Sequence, residues 1–211
     1  IKSQDASRGP DIAGITTFTG TSGIVMPSGD TAYRGGRGRF VMIGGYTPAA
    51  LNTMDYVTIS STGNAIDFGD ASILLYMGAG TASATRGLFH GFQGSPNDRN
   101  NRVDYITISS TGNSFDFGDL TLAGQSANSA SADQTRALFP IGYTNAATVS
   151  SKIDYFTIST TGNATNFGDL KDNKYSMKGG FSSPTRGFFA AGNQTPAPVS
   201  YTHLTLPTTP V

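Results

Sequence analysis

Carboxylates that could bind a metal ion occur in two short triplets of the sequence. Asp67-Phe68-Gly69 and Asp116-Phe117-Gly118 have the Asp-Phe-Gly order that holds Mg²⁺ in phosphoryl-transfer sites. Such a site also needs a Gly-rich phosphate loop, a strand lysine and an HRD-type catalytic loop, and the sequence has none of these. A third copy reads Asn166-Phe167-Gly168, without the carboxylate. We therefore interpret the triplets as packing elements of a repeat.

Two histidines, His90 and His203, are the other candidates for acid–base or metal chemistry. His90 stands at a position that Pro140 and Ala190 occupy in later repeats, and the other histidine, His203, lies in the segment 199–211, which we interpret as a non-native tail. A general base or a metal ligand needs partners such as a second histidine. The pattern favours a partly exposed polar side chain at His90. We predict no catalytic residue, no cofactor and no metal site, and a protein that is not an enzyme.

Composition limits the remaining classes of function. The 211 residues contain 14 Lys+Arg and 14 Asp+Glu, so the net charge is zero and a basic nucleic-acid footprint is not indicated. We therefore expect no nucleic-acid partner. No apolar run reaches the roughly 18 residues of a membrane span, so membrane insertion is not expected either. There is no cysteine, which excludes disulfides. With 27 glycines and abundant Ser and Thr, the composition indicates a β-rich chain.

One phrase occurs three times, as MDYVTISSTGNAIDFGDA (54–71), VDYITISSTGNSFDFGDL (103–120) and IDYFTISTTGNATNFGDL (153–170), so each unit has 49 or 50 residues. An arginine precedes each Asp-Tyr pair by 18 residues, and an aromatic residue follows that arginine after three places, at 40, 89, 139 and 189. The repetition indicates tandem units that pack on one another. The residues assigned a structural role in every unit are Arg37, Arg86, Arg136, Arg186, Asp55, Asp104, Asp154, Tyr56, Tyr105, Tyr155, Phe68, Phe117, Phe167, Asp70, Asp119 and Asp169.

Within a unit the apolar pattern has a period of two, which is typical of β-strands. In the second unit it predicts strands at 86–92, 103–109 and 114–117, with a turn at 110–113 and a weaker fourth strand within 121–134. Three or four short strands in about 50 residues match a propeller blade of kelch length. A β-solenoid is the rival fold, but its coils usually take fewer residues.

We therefore predict an all-β protein of antiparallel blades that form an open arc of three to four blades. Its units are expected near 37–85, 86–135 and 136–185, with a partial unit at 186–198, inside a repeat domain that spans 34–198. The alternative is a four-bladed ring, in which the segment 11–33 completes the blade begun at 186–190. In either case the arginines are expected to pair with aspartates of the repeat, because a half-buried guanidinium needs a partner. The repeated Tyr and Phe are expected to fill the space between blades, and Asp70, Asp119 and Asp169 to accept backbone N–H groups.

The two ends of the chain depart from the repeat. Residues 1–33 form a leader whose Thr/Gly-rich part, 11–30, resembles fibrous stalk segments of tailed-phage structural proteins; a disordered leader is the alternative. The resemblance implies docking or a homotrimer formed through the leader. Residues 199–211 resemble a translated sequencing adapter, so we interpret them as a non-native tail on a fragment whose gene continues with further blades.

Loops that precede each Asp-Tyr pair differ between units, and variation among repeats commonly marks a binding face. Asn, Asp, Arg and Tyr in these loops suit contacts with carbohydrate. The candidate ligand residues are Tyr46, Asn52, Asn97, Asp98, Arg99, Arg102, Tyr143, Asn145 and Lys152.

The repeat RG-x-F…(I/V)DY-x-TIS-x-TGN…FGD over 37–198, with its stalk-like leader, resembles the propeller-like repeats of tail-fibre and other structural proteins of marine tailed phages. The resemblance implies a virion or extracellular location, contacts with other virion proteins, and a tail-fibre or appendage module that binds a host-surface glycan or protein. A bacterial secreted or surface propeller that binds glycans or proteins is the alternative. A glycan-degrading enzyme would need paired carboxylates outside the repeat consensus, and no such pair stands out.

Overall fold

The computed structural model describes residues 38–93, 99–126, 129–144, 148–177, 179–183 and 185–194. These residues form fifteen β-strands and no α-helix, as the period-two pattern predicts. No helix that could span a membrane occurs among them. The strands are β1 (Arg39–Tyr46), β2 (Ala50–Thr58), β3 (Ile66–Ala82), β4 (Arg86–Gln93), β5 (Arg102–Thr107), β6 (Phe115–Asp119), β7 (Gly124–Ser126), β8 (Ser131–Ala132), β9 (Arg136–Thr144), β10 (Lys152–Thr157), β11 (Thr165–Asp169), β12 (Lys174–Tyr175), β13 (Gly179–Ser182), β14 (Gly187–Ala190) and β15 (Asn193–Gln194).

All strand pairs are antiparallel. Strands β1 to β6 form one six-stranded sheet in chain order, and β11-β10-β9-β7 form a second sheet in which β8 also pairs with β9. Two further pairs, β12 with β15 and β13 with β14, lie outside these sheets. The all-β antiparallel prediction is therefore confirmed for the described residues, while closure of the units around a propeller axis stays a prediction.

The fourth strand of each unit pairs with the first strand of the next unit. In the second unit this strand is short and interrupted, as β7 and β8, and it pairs with β9. In the first unit it is continuous with the strand before it, so β3 pairs with β2 at one end and with β4 at the other. The difference follows from sequence, because 71–82 contains apolar β-formers where 121–134 is rich in small polar residues.

Strand register identifies the equivalent residues of the units. Arg86 lies opposite Thr107 and Arg136 lies opposite Thr157. In the first unit Arg39 takes this place, opposite Thr58. Arg37, which equal spacing had selected, lies outside the described residues. The same shift places Met42, rather than Phe40, at the position of Phe89 and Phe139.

The Phe-Gly-Asp triplets form a bulge in the strand that follows each turn. In the second unit Val103 lies opposite Gly118 and Asp104 lies opposite Asp116, so Phe117 is the extra residue. The glycine has a φ of 146°, which side-chain-bearing residues rarely adopt. The bulge sends Phe117 into the core, where it is 2% exposed.

Buried side chains form two clusters, and each is shared by neighbouring units. Met54, Phe68, Leu75, Phe89 and Ile106 form the cluster between the first and second units. Leu88, Phe117, Phe139, Ile141 and Phe156 belong to the cluster between the second and third units. Of the repeated aromatic residues that were expected to fill this space, Phe68 and Phe117 are buried, whereas Tyr56, Tyr105 and Tyr155 are only partly buried and Phe167 is 51% exposed.

Repeat units also interlock through backbone hydrogen bonds. The Thr-Gly-Asn turn of one unit lies against the Phe-Gly-Asp strand of the preceding unit. Gly112 N–H donates to the Phe68 carbonyl oxygen at 2.7 Å, and Gly162 N–H donates to that of Phe117 at 2.8 Å. The side-chain oxygen of Asn163 accepts from the Asp119 amide at 3.1 Å, as that of Asn113 does from Asp70. At Asp70 and Asp119 it is thus the backbone amide, and not the expected carboxylate, that makes the recurring contact.

Buried aspartates of the Asp-Tyr pairs make a second contact between units. Asp154 accepts from the backbone amide of Thr121 at 2.7 Å and from its hydroxyl at 3.0 Å. Asp104 accepts from Ser72, the equivalent of Thr121, and from Ser114 at 2.7 Å. Both carboxylates are almost fully buried, so each joins its unit to the preceding one.

Repeated arginines do not pair with these carboxylates, so that expectation was wrong for the described contacts. The Arg86 guanidinium donates to the carbonyl oxygen of Ile158 at 2.9 Å and packs over the Tyr105 ring. Arg39 donates to the equivalent carbonyl of Ile108 at 2.7 Å. Carbonyl oxygens at the end of a neighbouring strand therefore supply the partner that a half-buried guanidinium requires.

Candidate ligand-binding surface

Two pairs of tyrosines lie beside the loops that join the first and second strands of a unit. Tyr46, at the end of β1, contacts Tyr76 with ring centroids 5.4 Å apart. Tyr143, near the end of β9, contacts Tyr175 with centroids 4.4 Å apart. The candidates Tyr46 and Tyr143 are thus each brought together with a tyrosine that the loop comparison missed.

A sequence signal for the two missed tyrosines exists. Tyr76 and Tyr175 each follow the aspartate of a Phe-Gly-Asp triplet by six residues, where the second unit has Gln125. Each is followed by a residue with positive φ, Met77 at 50° and Ser176 at 51°. Non-glycine residues in this conformation cost of order 1–3 kcal/mol and are enriched at functional sites. The bend therefore marks the two tyrosine positions as a shared local structure.

The first tyrosine pair opens onto solvent. Gly45, Tyr46, Tyr76 and Met77 line a cleft of about 380 Å³. Tyr46 and Met77 are 57% and 62% exposed, which is a large exposure for such side chains. Exposed aromatic rings in a concave setting are typical of binding sites, since they offer apolar faces together with a polar hydroxyl.

The second tyrosine pair lies beside a positively charged side chain. The Arg99 guanidinium lies 5.5 Å from the centre of the Tyr143 ring. A hydrogen bond with Tyr175 raises the pKa of Tyr143, and the nearby positive charge of Arg99 opposes that rise. The pair therefore combines hydroxyl groups with a nearby positive charge, a combination that suits a carboxylate or sulfate ligand.

Other candidate residues lie apart from the tyrosines. Asn52 and Lys152 are half-buried strand residues. Arg102, at the start of β5, forms an ion pair with Asp104, with Nε 2.7 Å from Oδ1, and also donates to the Ser72 hydroxyl. Its role is therefore structural. Asn97, Asp98 and Asn145 lie outside the described residues.

His90 is buried, and the prediction of a partly exposed side chain was wrong. Its exposure is 1%, and its Nε2 donates to the Asn100 carbonyl oxygen at 3.0 Å. Burial lowers its pKa to about 4, so the ring is neutral at pH 7. The equivalent Pro140 is buried as well, which shows that this strand position belongs to the core.

The described residues contain no group of three His, Cys, Asp or Glu side chains that could hold a metal ion.

Comparison with protein-family models gives no match, and no curated protein has significant sequence similarity to the chain. The functional inference therefore depends on the geometry of the two tyrosine pairs and on the arginine beside the second of them.

Proposed function

We propose that the chain is a binding module, and not an enzyme, that uses its tyrosine pairs to bind carbohydrate on a host surface. The observation that carries the proposal is the repeated pairing of tyrosines beside these loops, the exposed Tyr46 with the half-buried Tyr76, and the half-buried Tyr143 with the half-buried Tyr175. Sugar rings have apolar C–H faces that stack on aromatic rings, and their hydroxyls accept and donate hydrogen bonds. Tyrosine serves both needs and loses little conformational entropy on binding, because it has only two side-chain torsions.

The architecture proposed for this module is a β-propeller-like arc. Recurring register between the first and second strands supports it, since Arg39, Arg86 and Arg136 each lie opposite a threonine of the next strand. Pairing of the fourth strand of one unit with the first strand of the next links the units into continuous antiparallel meanders, and a meander of four strands is the form of a propeller blade. In such an arrangement the loops between first and second strands share one end, where neighbouring ligand contacts reinforce one another.

The biological setting we propose is a tail-fibre or appendage protein of a virion. It rests on the resemblance of the repeat and of the stalk-like leader to phage structural proteins. Capsid and portal genes beside the gene for this chain would support this setting. Neighbouring genes for bacterial secretion would instead support a secreted bacterial lectin with the same tyrosine surface.

Binding to an array of bacterial surface polysaccharides, followed by calorimetry with any ligand found, tests the proposed activity. Tyr76→Ala and Tyr175→Ala are each expected to weaken binding by at least about tenfold, because buried aromatic contacts carry much of the energy of an interface. Tyr→Phe at the same positions keeps the stacking face and is expected to lose less. Phe115→Ala removes an exposed ring (63%) away from these loops and is the control. Binding that is unchanged by all the tyrosine variants would refute the proposal.

A further inference from the structure

Each internal junction between units is built from the same set of contacts. A Thr-Gly-Asn turn docks on a Phe-Gly-Asp strand, a buried aspartate accepts from Ser72 or Thr121, and an arginine donates to an isoleucine carbonyl. The isoleucine itself is buried by the junction, since Ile108 and Ile158 are 6% and 2% exposed. These contacts define what covers a unit on its following side.

The third unit presents the same face uncovered in the described structure. Phe167 is 51% exposed, whereas Phe68 and Phe117, at equivalent positions, are each 2% exposed. A Cβ on Gly69 would lie 2.6 Å from the carbonyl oxygen of Gly112, but one on Gly168 would meet nothing within 4 Å. The face is therefore shaped for a turn that no described residue supplies.

A free strand edge lies beside this face. Strand β14 pairs with β13 on one side, and no described strand pairs with its other edge. Its equivalents β4 and β9 each have a second-strand partner there, β5 and β10. The β13–β14 pair is itself packed on the fourth strand of the second unit, because Ser129 and Ser131 donate to the carbonyl oxygens of Gly179 and Phe181. Two strands of a meander are thus in place, and the described residues do not supply a third to pair with the free edge of β14.

A lysine on this face of the third unit favours a partner with a carboxylate at the matching position. Lys171 stands where Ser72 and Thr121 stand in the earlier units, two residues after the Phe-Gly-Asp aspartate. In both internal junctions that position donates to the buried aspartate of the incoming strand. An exposed lysine at this position matches an incoming carboxylate through an ion pair instead of a hydroxyl hydrogen bond.

We propose that this face, together with the free edge of β14, is a docking site for a β-hairpin from another chain that carries the repeat's own chemistry. Its first strand holds an aspartate and an aromatic residue, and its turn is Thr-Gly-Asn. The first strand pairs with β14, the turn docks on Phe167 and Gly168, and the aspartate meets Lys171. Strand addition of this kind derives affinity from main-chain hydrogen bonds and specificity from alternate side chains. The site joins repeat chains end to end, and it is independent of the tyrosine surface.

A labelled peptide with the sequence of residues 152–170, titrated with the full chain and followed by fluorescence anisotropy, tests the proposal. Saturable one-to-one binding is expected. Peptide variants Asp154→Ala and Asn163→Ala, which lack the aspartate and the turn amide, are each expected to bind at least about tenfold more weakly. On the chain, Lys171→Ala and Phe167→Ala are expected to weaken binding similarly. Leu74→Ala, which truncates an apolar residue of similar exposure (46%, against 51% for Phe167) outside this face and outside the repeated hairpin, is the control.

Sedimentation of the chain alone separates the other possible occupants. If a second copy uses its own hairpin, the chain self-associates and the peptide dissociates the complex, which supports the proposal. Self-association that the peptide leaves intact would overturn it, as would peptide binding that is indifferent to the Asp154 and Asn163 substitutions. Absence of peptide binding to a monomeric chain would overturn it as well, because the face would then have no affinity for the repeat hairpin.

Discussion

Substituting the glycine of the Phe-Gly-Asp triplet by alanine separates backbone strain from contact between units. Gly118 and Gly168 have nearly the same φ, 146° and 148°, so alanine meets a similar backbone penalty of about 1–3 kcal/mol at either position. Their surroundings differ. A Cβ at 118 would lie 2.5 Å from the carbonyl carbon of Gly162, whereas one at 168 has open space.

We therefore expect Gly118→Ala to reduce the free energy of unfolding by about 1–3 kcal/mol more than Gly168→Ala does, which is the usual cost of overpacking. For a domain of this size, each 1 kcal/mol lowers the melting temperature by about 2–4 °C. Urea unfolding of both variants, followed by far-UV circular dichroism and tyrosine fluorescence, measures the difference. Equal destabilisation within about 0.5 kcal/mol would refute the inference that the turn of the third unit docks on the second.

Two further perturbations test the buried polar groups. Asp154→Asn is expected to reduce the free energy of unfolding by about 1–3 kcal/mol, because the side-chain amide cannot accept both Thr121 hydrogen bonds. Asp55→Asn, at the exposed equivalent position, should change it by less than about 0.5 kcal/mol. A similar loss of stability for both variants in urea unfolding would contradict the contact between Asp154 and Thr121. For His90, the folded pKa of about 4 lies below the unfolded value of 6.5, so the unfolded state binds a proton at a higher pH than the folded state does. The free energy of unfolding therefore decreases as the pH is lowered from 6.5 to 4, by up to about 1.4 kcal/mol per pH unit. Urea midpoints from pH 7.5 to 4.5 should therefore decline more steeply for the natural chain than for His90→Gln, and parallel profiles would show that His90 does not titrate as its burial requires.

Sequence periodicity was sufficient to predict where strands occur, but not which residues of neighbouring strands lie opposite each other. The alternation in 103–109 predicted β5, and the small polar residues of 121–134 predicted the weak, interrupted β7 and β8. Equal spacing failed at Arg37, because Arg39 precedes Asp55 by 16 positions in the first unit, whereas Arg86 precedes Asp104 by 18 in the second. A shorter connection between the first two strands moves the pairing position without changing the chemistry, and only the register shows it.

Long-range partners could not be read from local pattern. The Arg86 side chain donates to a carbonyl 72 residues away, and a backbone acceptor leaves no mark in the sequence. His90 was different, since Pro140 and Ala190 at its equivalent positions already indicated an apolar environment. At the candidate site, Tyr46 and Tyr143 were found as loop residues, while Tyr76 and Tyr175 required comparison of the units at a fixed distance from the Phe-Gly-Asp triplet.

Recurrence of the repeated phrase has a physical explanation in the junctions. The phrase contains a Thr-Gly-Asn turn and a Phe-Gly-Asp bulge, and these two parts contact each other between neighbouring units. The turn of one unit packs on the bulge of the unit before it. A substitution in one part therefore strains a contact with the neighbouring copy, so both parts must keep their residue types wherever a neighbour exists. The constraint relaxes where the described structure shows no neighbour, as at Lys171, where the third unit replaces the hydroxyl of Ser72 and Thr121. Repeat identity in this chain thus follows contact between units, while departure from the repeat, in the tyrosine loops and on the face of the third unit, coincides with the two surfaces for which we propose partners.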